Sequence, residues 1–382
     1  YNDIYKPDYL NHISSDYWDE GGSGLFIAKY IVSNHINEKI YNIAININSD
    51  NYRESWMLNW SYLSNGTNDI RVKLYDNAWN IITSDKLFHV LKDINPPTFS
   101  NQEQSSFDVW YSNVYMPEWI DSISVSFRDT GFSGLTDIYY GVSSNEGLNF
   151  HEIDLNVSRN NYESVWPIAW NTLTNGVNEI IVSFSDRARN QTSSDTLFII
   201  RKDVIKPTVS DNEVSSFDIW YRTTPDWFKH IDVNFGDEGS SNIAMAGYLV
   251  SSNGKFSSRV ISSSVNSGNY AVDWMLVWDD LYEGTNNIYA QVTDNAQNFY
   301  QSELLFAVYK DTLPASYDDK ELISPVSLNA WYPQQESWMQ DIDLDIFDRG
   351  YSGLVTAGYV LSDNGVQAVR RIISHSIYAV SY

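Results

Sequence analysis

The chain has 382 residues, of which 43% are hydrophobic and 15% aromatic, and its formal net charge is −25. A chain of this length predicts several domains of roughly 100–150 residues each, and its hydrophobic content excludes global disorder. The negative charge excludes nucleic acid as a partner, the absence of cysteine excludes disulfides, and the lack of any apolar run of roughly 18 residues argues against membrane insertion within this segment.

An internal repeat with a period of about 109 residues organises the chain. Its most distinctive segment reads Asn-Tyr-x3-Trp-x3-Trp-x2-Leu-x2-Gly-x-Asn-x-Ile and begins at Asn51, Asn161 and Asn269. This agreement between three copies indicates one structural module repeated along the chain. The paired tryptophans of the segment are its signature: Trp56, Trp60, Trp166, Trp170, Trp274 and Trp278.

Each copy is predicted to be β-structure, and the first half of the second copy shows the pattern. Apolar residues alternate with serine over residues 123–127, which predicts a strand with one buried face. A glycine-containing turn over residues 129–134 comes next. It leads into a predicted strand that contains Tyr140, a residue with equivalents in all four copies.

The second half of the same copy also predicts strands. The even spacing of Trp166 and Trp170 predicts a strand with one aromatic face. The short apolar run over residues 197–200 predicts a buried last strand. Lys202-Asp203 follows with a proline shortly after, and we interpret this stretch as a stiff linker between domains.

About seven short strands in roughly 100 residues, separated by polar turns, indicate a sandwich. We therefore predict an all-β fold of tandem immunoglobulin-like (Ig or fibronectin III-like) β-sandwich repeats, arranged as a rod because each repeat would contact only its neighbours. The predicted ranges are residues 1–94 for repeat 1, which lacks its first strand, 95–204 for repeat 2, 205–312 for repeat 3, and 313–382 for repeat 4, which lacks its C-terminal strands.

Three motifs together carry a family resemblance. Residues 129–134 read Asp-Thr-Gly-Phe-Ser-Gly, residues 186–190 read Asp-x-Ala-x-Asn, and an Asp-x-Pro type of linker follows. Copy 3 departs from the first motif at Asn242, where the others have glycine. The set resembles the tandem Ig-like repeats of large bacterial surface proteins, of the adhesin-stalk and S-layer type. The resemblance implies an extracellular stalk, lattice or filament component, and it implies no ligand, since function on this fold lies in grafted sites.

The aspartates of these turns and linkers are the candidate metal ligands. Ca²⁺ takes oxygen ligands from carboxylates, amides and carbonyls. Asp203 in a linker, with Asp186 or Asp129 from a nearby loop, would form such a site. The alternative is a turn role, in which the side chain accepts backbone hydrogen bonds. Nothing in the sequence establishes a cofactor, and the candidate Ca²⁺ ligands are Asp129, Asp186, Asp203, Asp237, Asp294 and Asp311.

The paired tryptophans have two interpretations. They fill the sandwich core, where a buried indole removes a large apolar area from water. Alternatively, they form an exposed aromatic platform for sugars, and the chain would then be a carbohydrate-binding module array of a larger secreted enzyme. The exposure of the rings distinguishes the two interpretations.

No catalytic constellation is recognisable, so we predict that the chain is not an enzyme. The six histidines do not recur at matched positions and show no metalloprotease spacing. The serines of the glycine-containing turns lack the spacing of a nucleophile elbow.

We predict a structural or adhesive protein located outside the cell or on its surface. It would serve as a multi-domain stalk or as a subunit of a surface filament or lattice. The expected partners are further copies of the chain and cell-surface glycans. Self-association would use the terminal half-domains, whose open strand edges invite strand addition by another chain.

Overall fold

The computed structural model describes residues 1–34, 36–101, 108–211, 219–319, 334, 342, 344–363 and 366–379. These residues divide into two compact units, Tyr1–Tyr111 with Met116–Lys202, and Ser112–Tyr115 with Asp203–Tyr382. Strands dominate both units, and the helical residues lie in short 3-10 helices. None of the described helices has the length and apolar character needed to cross a membrane.

Repeat 1 consists of seven strands and two 3-10 helices. The elements are β1 (Tyr17–Trp18), β2 (Leu25–Ser33), β3 (Glu38–Ser49), β4 (Asn51–Tyr52), β5 (Gly66–Asp76), β6 (Ile81–Thr83) and β7 (Phe88–Lys92), with helices at Asp8–Asn11 and Trp60–Tyr62. One sheet has the order β3-β2-β5, with β6 and β7 both paired to β5, and the other pairs β1 with β4.

Repeat 2 shows the two-sheet arrangement most completely. Its elements are β8 (Thr98–Asn101), β9 (Trp110–Tyr111), β10 (Val125–Arg128), β11 (Leu135–Ser144), β12 (Gly147–Asp154), β13 (Asn161–Tyr162), β14 (Gly176–Asp186), β15 (Gln191–Ser193) and β16 (Phe198–Lys202), with helices at Glu118–Asp121 and Trp170–Thr172. The small sheet has the order β13-β10-β8, and the large sheet has the order β12-β11-β14-β16-β9, with β15 on β14. Strands β9 and β16 are parallel, while the other pairs are antiparallel.

Repeat 3 has the same topology as repeat 2. Its elements are β17 (Thr208–Asp211), β18 (Trp220–Tyr221), β19 (Val233–Gly236), β20 (Ile243–Ser252), β21 (Lys255–Ser262), β22 (Asn269–Tyr270), β23 (Gly284–Asp294), β24 (Phe299–Gln301) and β25 (Phe306–Lys310), with helices at Asp226–Lys229 and Trp278–Asp280. The described part of repeat 4 contains β26 (Ser316–Asp319), β27 (Leu344–Phe347), β28 (Leu354–Asp363) and β29 (Val366–Ala379). Here β26 pairs with β27, and β28 with β29.

Repeats 1, 2 and 3 each enclose a separate hydrophobic core. The long central strand shows why, because β14 buries Ile180, Val182 and Phe184 on one face and turns the intervening side chains outward. In each core an indole stacks on a buried tyrosine, with ring centroids 5.1 Å apart for Trp56–Tyr30, 5.4 Å for Trp166–Tyr140 and 5.3 Å for Trp274–Tyr248. The prediction of an all-β fold of Ig-like sandwiches is confirmed.

One local prediction was wrong. The segment around Trp166 and Trp170 is not a continuous strand: Trp166 forms an isolated bridge with Ile123, and Trp170 begins a 3-10 helix. The bridge between Trp166 and Ile123 does not extend into a longer strand pair. The next backbone hydrogen bond, from the Ile168 amide to the Ile120 carbonyl, leads to a 3-10 helix and not to a strand. The strand predicted at the end of repeat 2 is present as β16, in which buried and half-buried positions alternate because one of its faces meets the core.

Candidate metal centres at the repeat linkers

The lysine of each Lys-Asp linker binds its own repeat. The Lys202 ammonium donates to the carbonyls of Trp170, at 3.0 Å, and Leu173, at 2.8 Å, and lies 4.7 Å from the centre of the Trp170 ring. Lys92 and Lys310 make the equivalent contacts in repeats 1 and 3. Burial lowers the pKa of Lys202. The lysine thus closes the end of the 3-10 helix and fixes where the linker leaves the sandwich.

The aspartate that follows Lys92 reaches forward into repeat 2. Oδ2 of Asp93 accepts hydrogen bonds from the amides of Phe132, at 3.0 Å, and Ser133, at 2.9 Å, and from the Ser133 hydroxyl at 2.7 Å. A Cβ on Gly131 would overlap the Asp93 carboxylate. Glycine is therefore required in this turn by the close approach of a side chain from the preceding repeat.

Two further carboxylates of repeat 2 face Asp93. Asp129 accepts from the amides of Gly131, at 2.6 Å, and Gly134, at 2.7 Å. Asp186 accepts from the amide of Asn190 at 2.8 Å and from its side chain at 2.7 Å, while the same side chain donates to the Asp93 carbonyl at 3.1 Å. One oxygen from each of the three carboxylates lies within 4.8 Å of the others, and all three residues are buried. We call Asp93, Asp129 and Asp186 the first centre.

The second centre consists of Asp203, Asp237 and Asp294. One carboxylate oxygen of each lies within 4.8 Å of the others, and all three residues are buried. Asp203 accepts from the Ser241 amide at 2.8 Å, and Asp294 accepts from the amide of Asn298 at 2.8 Å. Two buried polar atoms here form no hydrogen bond among the described residues, namely Oδ2 of Asp237 and Oγ of Ser241.

The carboxylates of both centres repel one another. Burial raises the pKa of Asp186, and the charges of Asp93 and Asp129 raise it further. Burial also raises the pKa of Asp237, and the negative charge of Asp203 raises it further. At Asp294 burial, with the charges of Asp203 and Asp237, raises the pKa to about 6. Three buried anions at this separation call for a counter-cation.

The donor set fits a hard divalent cation. All the acidic ligands are oxygen donors, and neither histidine nor cysteine belongs to either described cluster. Such a set suits Ca²⁺ or Mg²⁺, whereas structural zinc sites use cysteine and histidine. Beside these carboxylates, the buried Oγ of Ser241, which forms no hydrogen bond among the described residues, offers a further ligand atom at the second centre.

Asp311 belongs to a third linker, which contacts repeat 4. Its Oδ2 accepts from the amides of Tyr351, at 3.1 Å, and Ser352, at 2.9 Å, and its carboxylate fills the space where Gly350 lacks a Cβ. Asp348 accepts from the Gly350 and Gly353 amides in the same turn. Among the described residues these two aspartates do not form part of a three-carboxylate cluster.

The six candidate ligands are therefore divided between three places. Asp129 and Asp186 meet in the first centre, and Asp203, Asp237 and Asp294 meet in the second. The sequence grouped Asp203 with Asp186 or Asp129, but the structure places it with the turns of repeat 3. Asp93 was missed as a candidate ligand, although its position in Lys92-Asp93 matches that of Asp203 after Lys202 and would have identified it.

The signature tryptophans do not form a sugar-binding platform. The first of each pair is buried in its core, as Trp166 shows with 2% exposure. The second of each pair packs against the core and the linker lysine, as Trp170 does. Exposed indoles occur elsewhere, at Trp18 and Trp79 of repeat 1.

Comparison with known proteins gives structural likenesses only. No protein-family model matches the chain, and no curated protein matches it. A solved tetra-tandem repeat from the extending region of a large adhesion protein is 12% identical, covers 98% of this chain and 86% of its own, and has a TM-score of 0.33. A Ca²⁺-stabilised adhesin with which an Antarctic bacterium binds ice is 13% identical, covers 95% of this chain and 83% of its own, and has a TM-score of 0.31.

A third solved structure belongs to a 1.5-MDa bacterial ice-binding adhesin, and it was determined to explain retention of that adhesin at the host cell surface. It is 15% identical, covers 76% of this chain and 88% of its own, and has a TM-score of 0.26. The structural neighbours of this chain thus include tandem repeats of large bacterial adhesins.

Proposed function

We propose that the chain is part of an extracellular structural stalk, in which the linker aspartate of one β-sandwich completes a Ca²⁺ site on the next. The observation that carries this proposal is the first centre, where Asp93 from the end of repeat 1 meets Asp129 and Asp186 of repeat 2. Its function is mechanical, since the repeats set the length and the ion stiffens the junction. We infer no enzymatic activity.

The residues of the first centre are already oriented for this role. Each carboxylate is held by amide donors of its own turn or of the neighbouring repeat, so the three side chains are fixed before the ion arrives. A bound divalent cation would supply the positive charge that offsets their repulsion. Because Asp93 and the other two ligands come from different repeats, the ion stabilises the docked arrangement of repeats 1 and 2 relative to any undocked one.

Ca²⁺ is preferred to Mg²⁺, and an extracellular location agrees with it. Ca²⁺ accepts flexible sets of carboxylates and carbonyls, whereas Mg²⁺ demands near-octahedral geometry and retains its waters. Extracellular Ca²⁺ modules bind the ion with dissociation constants of about 10⁻⁴–10⁻³ M. A chain without cysteine also gains no stability from disulfides, so cation sites are a natural substitute.

Spin labels on repeats 1 and 2 test the proposed stiffening. The chain has no cysteine, so Lys39→Cys and Glu146→Cys introduce the only two labelling sites, both at exposed positions. We expect Ca²⁺ to narrow the distribution of distances between the labels and EDTA to broaden it. Equally broad distributions with and without Ca²⁺ would exclude a stiffening role.

Assembly into a filament or lattice, and self-association through the terminal half-domains, remain predictions. Sedimentation across a range of chain concentrations checks them, because association shifts the distribution to larger species as concentration rises. A single monomeric species at all concentrations would argue for a stalk that acts alone.

A further inference from the structure

A groove on repeats 1 and 2 lies beside the first centre. One part is a depression of about 920 Å³ lined by Tyr1, Tyr5, Tyr9, Lys6, Phe132 and Arg187, among others. The adjoining part, of about 790 Å³, is lined on the repeat 1 side by Asn2 and Ile4. Tyr5, Arg187 and Arg189 line both parts, so the two depressions are continuous around these side chains. Each of the two parts is within the size range of small-molecule sites.

The groove is positively charged in a strongly acidic chain. Lys6, Arg187 and Arg189 are all exposed there, and among the described residues none of the three forms a salt bridge. The chain has a net charge of −25 and only 24 basic residues, so it does not need a cluster of three cations to stay soluble. It creates a local site for an anion.

The fold does not require these arginines. Arg187 and Arg189 occupy the Asp-x-Ala-x-Asn turn, where repeat 1 has Asn77 and Trp79 and repeat 3 has Asn295 and Gln297, as the sequence shows. In repeats 1 and 3 the asparagine side chain donates to backbone carbonyls of the neighbouring glycine-containing turn. In repeat 2 Arg187 stands at the position of this asparagine. It cannot make the same amide hydrogen bonds, and its guanidinium lines the groove instead.

Aromatic rings complete the groove. Tyr1, Tyr5 and Tyr9 are each about half exposed, and the Arg189 guanidinium lies 4.7 Å from the centre of the Tyr5 ring. Stacking of this kind restricts a guanidinium while leaving its N–H groups available. Rigid aromatic faces suit the C–H faces of pyranose rings, and guanidinium groups bind carboxylates through paired hydrogen bonds.

We infer that this groove binds a carboxylated saccharide, such as a chain containing uronic or sialic acid. A neutral sugar would leave the three cations without a partner, and a nucleic acid would be repelled by the rest of the surface. Three aspartates also line the groove. Asp93 and Asp186 face the first centre, where the proposed Ca²⁺ offsets their charge, and Asp137 leaves one negative charge against the three exposed cations. The inference therefore rests on the proposed cation for its electrostatics, and cation binding is measured separately.

The test uses the full chain with about 1 mM Ca²⁺ present, the upper range for extracellular modules. The probes are tetragalacturonate, 3′-sialyllactose, the neutral galactotetraose and hexaglutamate, each titrated by saturation-transfer NMR. We expect the carboxylated saccharides to bind and galactotetraose not to bind. Tighter binding of tetragalacturonate would indicate a uronate polymer as the natural ligand, and tighter binding of 3′-sialyllactose would indicate a sialylated glycan.

The chain supplies its own substitutions for the groove. Arg187→Asn with Arg189→Gln recreates the residues of repeat 3, so the turn should fold and the first centre should still bind Ca²⁺. We expect this double variant to bind the saccharide weaker by about tenfold or more, because two charge-assisted contacts are lost. Lys206→Asn with Lys229→Gln removes the same charge elsewhere and should bind as the original chain does.

Several results would overturn the inference. They are no binding of either acidic saccharide, equal binding of galactotetraose, binding of hexaglutamate alone, or unchanged affinity in the groove variant. Calorimetry with Ca²⁺ on the same samples separates this outcome from failure of the proposed function. If Ca²⁺ binds and the saccharides do not, the groove assignment is wrong while the stalk proposal stands.

Discussion

At the scale of single residues, equivalent aspartates have different surroundings in different repeats. Asp19 of repeat 1 and Asp129 of repeat 2 accept the same type of turn hydrogen bonds from glycine amides. Only Asp129 also faces two other carboxylates among the described residues. The turn role and the metal-ligand role proposed for these residues are therefore compatible, and their contributions can be separated.

Asp129→Asn separates the two roles. The substitution removes one negative ligand from the first centre, so we expect the Ca²⁺ affinity of that centre to fall by at least about tenfold, the lower limit for disturbing even an indirect metal contact. Asp19→Asn alters the same turn hydrogen bonds without altering a centre and serves as the matched control. Isothermal calorimetry measures both variants, and equal affinity in the two would show that Asp129 is not a ligand.

Gly131→Ala tests the close approach of the linker aspartate. A Cβ at this position overlaps the Asp93 carboxylate, so we expect a loss of about 1–3 kcal/mol in the free energy of unfolding, the range for overpacking. At Gly21 the nearest atom would be Oδ1 of Asp19, at 3.1 Å, so Gly21→Ala should cost less. Denaturant unfolding in Ca²⁺ compares the two, and a greater loss at Gly21 would contradict the structure.

The raised pKa of Asp294 predicts that the stability of the chain depends on pH, and that the direction of this dependence differs with and without Ca²⁺. Because burial raises this pKa to about 6, and the unfolded value is about 3.9, the folded chain holds the proton more tightly. In EDTA this contribution to stability is present in full below about pH 4 and is lost as pH rises through 6.

In Ca²⁺ the ion competes with the proton, so the stabilisation by the cation should instead grow over the same interval. Thermal melting of the original chain and of Asp294→Asn at several pH values measures the difference. An identical pH dependence for the two chains in EDTA would show that Asp294 does not titrate in this range.

At the scale of elements, two adjacent linker residues make contacts in opposite directions along the chain. The lysine binds backward to carbonyls of the preceding 3-10 helix, and the aspartate after Lys92 or Lys310 binds forward to amides of the next turn. Because the two side chains are consecutive, the path of the linker is fixed at both ends. Proline in the following stretch restricts it further.

Lys202→Met isolates the backward contact. It removes the lysine donor from the carbonyls of Trp170 and Leu173, of which Trp170 still accepts from the Leu173 amide, so we expect a loss of about 1–3 kcal/mol in the free energy of unfolding, the cost of an unsatisfied buried acceptor. Lys206→Met, at an exposed position nearby in sequence, is the control. Chemical denaturation provides the measurement, and equal stability of both variants would contradict a structural role for Lys202.

The elements also show how far sequence reasoning reaches. Period-2 alternation predicted strands such as β10 because burial on one face leaves that pattern directly in the sequence. The Trp166–Trp170 segment was wrongly predicted as a strand because even spacing does not reveal that its partner is a 3-10 helix. The grouping of Asp203 with repeat 2 turns was wrong because a linker side chain can point toward either repeat, and the sequence does not reveal that this one points forward.

At the scale of the whole molecule, the three cores are separate clusters, so hydrophobic packing stabilises each repeat by itself. Much of what joins repeat 1 to repeat 2 is polar, namely the Asp93 hydrogen bonds and the three carboxylates of the first centre, beside the approach of the Phe132 ring to Gly66. If the proposed ions bind, this junction should respond to them more than the separately packed sandwiches do. Removal of Ca²⁺ should therefore loosen the array without unfolding its members.

Calorimetric titration of the intact chain with Ca²⁺ tests the central claim most directly. The two described clusters predict two bound ions per chain, one ion in Asp129→Asn, and none in the variant that combines Asp129→Asn with Asp237→Asn. Absence of Ca²⁺ binding at about 1 mM, the upper range for extracellular modules, or a stoichiometry unchanged by the double substitution, would contradict the account.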